Sequence, residues 1–249
     1  MLNSPTEEKL FTLGLRGMLA AWQQQQSDSQ YAGLGFDERF GLLVDAEAGE
    51  RENHRLERLL REARLKLSQA CLEDIDYAAR RELNRAQIRQ LATCRWIQEH
   101  QNLIVTGATG TGKTYLACAF AQQACRQGLR AIYRRVPRLF HELTLAHADG
   151  SYGRLLAKLA RIDVLVLDDW GIAPFQDQER RDLLEILEDR YGVRSTIVAS
   201  QLPTKTWHAQ IGDPTVADSI CDRLLHNAHR LVLKGGSRRK EQGDKSFSD

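Results

Sequence analysis

The run Gly107-Ala108-Thr109-Gly110-Thr111-Gly112-Lys113-Thr114 sets two glycines, a lysine and a hydroxyl at the spacing Gly-x4-Gly-Lys-Ser/Thr. It follows the apolar stretch Leu103 to Thr106 and leads into a helical pattern, which is the context a phosphate-cradling loop requires. Glycines let the backbone curl closely round an anion with its N–H groups turned inward, and the N-terminus of the following helix adds a favourable dipole. Lys113 would reach the β and γ phosphates and the Thr114 hydroxyl would ligate magnesium. ATP and Mg2+ are therefore the expected cofactors, with Gly107 to Thr114 as the binding residues.

Two further strand ends carry groups that suit the same chemistry. Val164 to Leu167 is apolar and ends in Asp168 and Asp169. Asp168 would hold magnesium, and Asp169 would orient or deprotonate the attacking water. Two acids after an apolar run mean little alone, because buried strands often end in a capping Asp; behind a complete phosphate loop they gain meaning. The apolar run Thr196 to Ala199 ends in Ser200 and Gln201, and the residues alone do not choose which of them would reach the γ-phosphate. Arg223 sits in Asp222-Arg223-Leu224 on an amphipathic helical pattern. A surface arginine paired with Asp222 is as compatible with the pattern as a functional one.

Basic residues are unevenly spread. Between Arg130 and Arg161 seven Arg or Lys, among them Arg134, Arg135 and Arg138, face only Glu142 and Asp149. Arg81, Arg85 and Arg89 recur every four residues and so share one helix face. Such concentrations suit phosphate backbones. No recognition-helix motif accompanies them, so binding to nucleic acid would follow shape and salt instead of base sequence.

The elements that must hold these groups can be drawn from periodicity. Short apolar runs alternating with helical patterns from about residue 100 indicate parallel βαβ units. Strands are expected at Leu103 to Thr106, Arg130 to Arg134, Asp163 to Leu167, Ser195 to Ala199 and His229 to Leu233. Helices are expected at Thr114 to Gln127, closed by Gly128, at Pro137 to His147, at Asp177 to Tyr191 and at Thr215 to His226. The first 70 residues read as helices, with Gln23 to Gln30 as a loop, one helix opening at Phe36 with Asp37 as its cap, and another from Glu47 to Leu67. Glu47–Arg51 and Glu57–Arg61 there are acid-then-base pairs at helical spacing. The predicted division is a helical module over 1–70, an ATPase domain over 71–233 and a flexible tail over 234–249.

Bulk properties bound the rest. The chain has 249 residues, 42% hydrophobic and 27% charged, with a formal net charge of +2, values of a soluble globular protein that exclude disorder throughout. The acidic start lacks the basic and apolar regions of a secretory signal, and no window is apolar enough to span a membrane, so a cytoplasmic address and no membrane partner are expected. The five cysteines form no CxxC pair and are read as buried thiols. Cys221, His226 and His229 lack a fourth metal ligand, so ordinary packing is the expectation there.

Together these segments resemble the AAA+ ATPases of the helicase-loader and initiator branch, and most closely the IstB-like helper proteins of insertion sequences. LGLRGM, GFDERFGLLVDAE, ACLEDIDYAARREL, GATGTGKT, VLVLDDWG, VASQLP and SICDRLLHNAHRLVLKG are similar, in that order, to recurring segments of that family. The resemblance implies an α/β fold, with an AAA+ P-loop NTPase core on a parallel sheet preceded by a small all-helical N-terminal domain. It implies that Arg223 is an arginine finger entering a neighbour's ATP site, with Ser200 or Gln201 as the first sensor. It further implies that the helix from Pro137 faces DNA, that the N-terminal module serves DNA binding and oligomerisation, and that the homo-oligomer on double-stranded DNA assists a transposase. Two departures stand out. Asp169 replaces the commoner Glu, which suits a slow switch better than a motor, and the residues after the last strand are too few for a helical lid, leaving Arg238 and Arg239 doubtful as second sensors. A DnaC-like helicase loader is the nearest rival reading; a small-molecule kinase and a purely architectural DNA binder are more distant ones.

Overall fold

The computed structural model describes residues 4–77 and 83–236. Contacts divide the chain into two units, 1–58 and 59–249.

The N-terminal unit contains helices α1 (Ser4–Thr12) and α2 (Arg16–Ser27) and most of α3 (Phe36–Ala63). α2 crosses α3 at Gly17, where a Cβ would stand 2.5 Å from the Ala46 carbonyl oxygen; only glycine permits that approach. Glu47 completes the crossing. Its Oε2 accepts hydrogen bonds from the N–H groups of Gly17 (3.0 Å) and Met18 (3.3 Å), while Oε1 pairs with Arg51 at 2.7 Å. The bond from Arg51 outweighs the cost of burying the carboxyl and holds its pKa below the usual value. Two expectations are corrected. Gln23 to Ser27 is helical because Gln25 is buried and exchanges hydrogen bonds with Arg39, an anchor a loop would not need. The two helices expected from Phe36 and from Glu47 are one, since no proline or cap interrupts α3; its entry is capped by Glu38, which accepts from the Gly35 N–H at 2.9 Å, and Asp37 lies within the first turn.

The second unit holds, in order, α4 (Arg85–Ala92), α5 (Arg95–Gln98), β1 (Asn102–Gly107), α6 (Lys113–Arg126), β2 (Ala131–Arg135), α7 (Val136–Asp149), α8 (Tyr152–Ala160), β3 (Val164–Trp170), α9 (Asp177–Arg190), β4 (Ser195–Ser200), α10 (Trp207–Ile211), α11 (Pro214–Leu225) and β5 (Ala228–Leu233). The five strands form one parallel sheet in the order β2-β3-β4-β1-β5. Leu103 to Val105, Val164 to Leu167 and Ile197 to Ala199 are all buried, as central strands covered on both faces must be. That burial explains why these strands read as unbroken apolar runs. α8 was not expected; Gly150, in the left-handed region at φ +75°, ends α7 and lets a second amphipathic helix start.

Three cysteines, Cys94, Cys118 and Cys125, are buried and their thiols are pushed up to about 11 by desolvation; Cys71 and Cys221 are only partly covered. No helix among the described residues is long and apolar enough to cross a membrane.

Candidate nucleotide site

β1 delivers the chain to the C-terminal edge of the sheet, and the loop that follows turns on glycines. Gly107, Gly110 and Gly112 have φ of +153°, +82° and +100°. A Cβ on Gly107 would also lie 2.5 Å from the Leu233 carbonyl oxygen of β5. Gly112 caps α6 without a side chain, so no capping side chain covers the N-terminus of that helix, the end that favours an anion. Lys113 folds back over the loop, its Nζ donating to the Ala108 carbonyl at 2.8 Å, and the Thr111 hydroxyl donates to the same oxygen at 2.8 Å.

Across the cleft stand the two acids of β3. Asp168 is 1% exposed, and its Oδ2 accepts from the Thr114 hydroxyl at 2.9 Å and from the Tyr133 hydroxyl at 2.6 Å. Burial, reinforced by Asp168, pushes the Tyr133 phenol far above its ordinary value, so it stays a proton donor. Thr114 and Asp168 thus present oxygen ligands side by side, the donor chemistry a hard divalent cation takes. Asp169 differs from its neighbour. The β3–β4 register breaks between Leu167 and Trp170, and Asp169 has φ +58°. Its Oδ2 accepts from Arg135 Nε at 2.6 Å, and this bond raises the Arg135 pKa. Both acids line one cleft of about 420 Å³ together with Lys113, Thr114 and Gln201.

The two residues at the end of β4 differ in position. Ser200 is fully buried, donating to the Trp170 carbonyl at 2.9 Å and accepting from the Leu202 N–H at 3.1 Å. Gln201 is exposed and its Oε1 accepts from the Thr109 hydroxyl of the phosphate loop at 2.8 Å. Of the two, only Gln201 faces the cleft.

Arg223 lies at the opposite edge of the sheet. Asn102, the first residue of β1, donates its Nδ2 to the carbonyls of Arg223 (2.9 Å) and Leu224 (3.2 Å), whereas the phosphate loop leaves the other end of that strand. The Arg223 guanidinium pairs with Glu188 of α9, not with Asp222, and lies 5.9 Å from the centre of the Tyr191 ring. The pairing raises the pKa of Arg223 and lowers that of Glu188.

The arginines expected to face DNA separate. Arg134 is removed from that set: its side chain is 8% exposed and pairs with Glu142 at 2.9 Å while donating to the Tyr133 carbonyl. Arg135 is half-exposed but engaged by Asp169. Arg138 is exposed, 3.6 Å from Glu142. Arg85 and Arg89 are exposed on α4, with Arg85 stacked 4.6 Å over Tyr77. Arg81, Arg238 and Arg239 lie outside the described residues.

The profile of the IstB-like ATP binding protein family matches residues 8–246. The chain is 49% identical over 246 residues to an insertion-sequence ATP-binding protein of Sinorhizobium fredii, covering 99% of this chain and 100% of that one. It is 50% identical over 206 residues to the ATP-binding protein of insertion sequence IS1162 from Pseudomonas fluorescens, covering 83% and 89%. Among solved structures it is similar to the DnaC helicase loader, with a TM-score of 0.54 and 25% identity over 66% of this chain and 97% of that one. The sheet and its helices are thus an AAA+ P-loop fold.

Proposed function

We propose, from the premise that the chain belongs to the IstB-like ATP binding protein family, that it is a Mg2+-dependent ATPase whose subunits assemble on double-stranded DNA and assist a transposase of the same element. One observation carries the assembly part of this reading. The phosphate loop and both acids sit at one edge of the sheet, while Arg223 is anchored at the other through Asn102. Among the described residues the cleft holds its own lysine, hydroxyl and acids, and its lining arginine, Arg135, is engaged by Asp169; a second copy placing its Arg223 against the cleft would complete it.

The division of labour follows. The loop N–H groups and Lys113 bind the β and γ phosphates, Lys113 exchanging the Ala108 carbonyl for phosphate oxygen. Mg2+, held by Thr114 and Asp168, would neutralise charge developing on the phosphates. Tyr133 keeps the Asp168 carboxylate oriented. Asp169 takes or directs the proton of the attacking water once Arg135 releases it, and Gln201 senses the γ-phosphate as first sensor. Arg223 of a neighbouring subunit stabilises the transferring phosphoryl group. An acid occupied by an arginine in the free chain and an arginine supplied only by assembly both favour slow basal turnover, stimulated by DNA or partner. Arg85, Arg89 and Arg138 are the exposed cations offered to DNA, and the helical module over residues 1–70 contributes to DNA binding and oligomerisation.

The insertion-sequence relatives, at 49% and 50% identity, favour transposition over helicase loading, for which the likeness is 25%. Sizing the full chain with and without duplex DNA and a non-hydrolysable ATP analogue tests the reading. Assembly should need both, and Lys113→Ala should abolish it. A chain that stays monomeric under every condition, or a Lys113→Ala variant that assembles normally, would refute it.

A further inference from the structure

Beside the nucleotide cleft a second cleft of about 290 Å³ opens, lined by Arg64 and Lys66 from the segment after α3 and by Arg134, Arg135, Arg138 and Glu142 around the start of α7. Glu142 pairs with Arg134 at 2.9 Å and lies 3.6 Å from Arg138, and Asp169 engages Arg135 from the nucleotide cleft, so the lining sets five cations against one carboxylate of its own. Arg64 and Lys66 are exposed, and Arg64 holds a left-handed backbone at φ +50° that few residues adopt without cost. The start of α7 adds to the charge. Its N-cap is Arg135, which makes no capping bond, and no acid lies in its first turn, so the positive end of the helix has no anionic partner of its own.

We propose that this cleft is a phosphodiester site that takes a backbone phosphate of double-stranded DNA, with Arg64, Lys66 and Arg138 as its cations. The proposal rests on the reading that the assembly binds DNA, and adds to it a place and two residues, Arg64 and Lys66, that no motif singles out. The nucleotide cleft has a glycine-turned backbone loop suited to cradling phosphate; this one is lined by no such loop and offers long cationic side chains beside Tyr133 and Glu142, which suits a polyanion passing across it better than a discrete terminal phosphate. Arg135 and Lys66 line both clefts, so the two sites share a guanidinium and an ammonium, and Arg64 and Arg138 belong to the second cleft alone.

The test uses the full chain, a fluorescent duplex of arbitrary sequence and a non-hydrolysable ATP analogue, with affinity followed by anisotropy across a salt series. Arg64→Ala and Arg138→Ala should each make the slope of log affinity against log salt shallower by about 0.9, and the double variant by about 1.8. Arg64→Lys should keep the wild-type slope. Affinity for a fluorescent ATP analogue without DNA should be unchanged in Arg64→Ala. If the wild type binds the duplex and the double variant keeps its slope, the proposal is overturned while the wider DNA reading stands. Loss of nucleotide affinity in Arg64→Ala would assign the cleft to the nucleotide and also overturn it. A wild type that does not bind duplex at all sinks both. Thermal unfolding of each variant separates lost binding from lost fold, and Arg138→Gln repeats the charge removal with a longer neutral side chain.

Discussion

Arg223→Ala gives the sharpest test of assembly-dependent catalysis. The backbone of Arg223 is fixed at the Asn102 end of β1, and the five residue steps to Gly107 span about 16 Å at ~3.3 Å each. A guanidinium on a side chain less than half that length cannot reach the phosphates bound by its own loop. Removing an arginine that stabilises phosphoryl transfer costs on the order of 10^3- to 10^5-fold in turnover. Arg223→Ala should therefore bind ATP normally and turn it over at that reduced rate. Asp169→Ala should fail in the same assay for a different reason, having lost the acid. An equal mixture separates action in trans from action in cis. A site works when a subunit with its acid meets a neighbour with its arginine, and in a random mixture about one interface in four satisfies both, so about a quarter of the wild-type rate per site should return. The readout is steady-state phosphate release on DNA, at a protein concentration that saturates assembly. A mixture no faster than the mean of the two inactive proteins would refute action in trans.

Three further outcomes follow from individual contacts. Gln201→Ala should lower kcat with ATP affinity retained, whereas Ser200→Ala should leave the cleft intact and destabilise the fold by about 1–3 kcal/mol, because it orphans the buried Trp170 carbonyl; turnover and denaturant unfolding of both variants separate the two. Arg135→Ala frees Asp169 from its 2.6 Å partner and should raise turnover without DNA, so a rate equal to or below wild type would count against the ion pair as a restraint. For Glu47, whose pKa is lowered from 4.5 chiefly by Arg51, the folded form binds its proton less readily than the unfolded one; the stabilisation is complete above 4.5 and is lost as pH falls through the lower folded value. Hydrogen exchange at the Gly17 and Met18 amides should accelerate over that acidic window in the wild type and show no such titration in Glu47→Gln.

The central sheet was legible because burial on both faces leaves no room for polar alternation, so β1, β3 and β4 announce themselves as apolar runs. The phosphate loop was legible because its glycines answer to backbone geometry. Tyr133 was not, since in the run AIYRR it looks like any strand aromatic, and only the β2–β3 register, Arg135 opposite Asp168, brings its hydroxyl to that carboxylate. Arg134 and Arg135 show what charge counting misses. Adjacent residues of a strand alternate in direction, and at the end of β2 Arg134 is covered and paired with Glu142 while Arg135 is engaged by Asp169, so a count of two cations overstates the charge offered to DNA. Arg190 carried no sequence signal at all, yet it is 1% exposed, donates to the Leu159 and Ile162 carbonyls at 2.6 and 2.8 Å, and has its pKa lowered to about 9 by burial. An arginine closing helix α9 looks like surface until β4 and α8 pack on it.

The same rule of alternation bears on the two acids. In a regular strand Asp168 and Asp169 would face opposite sides of the sheet, and one of them would be useless to a nucleotide. Here the register break and the left-handed backbone of Asp169 swing the second carboxylate back, so that both line one cleft. That conformation disfavours most side chains and is tolerated best by Asn and Asp, whose short polar groups bond locally. The choice of Asp over the commoner Glu at this position thus has a backbone reason. A longer carboxylate would reach further toward the water but would fit the left-handed turn less well, and the site keeps its acid short, aimed and, until Arg135 lets go, occupied.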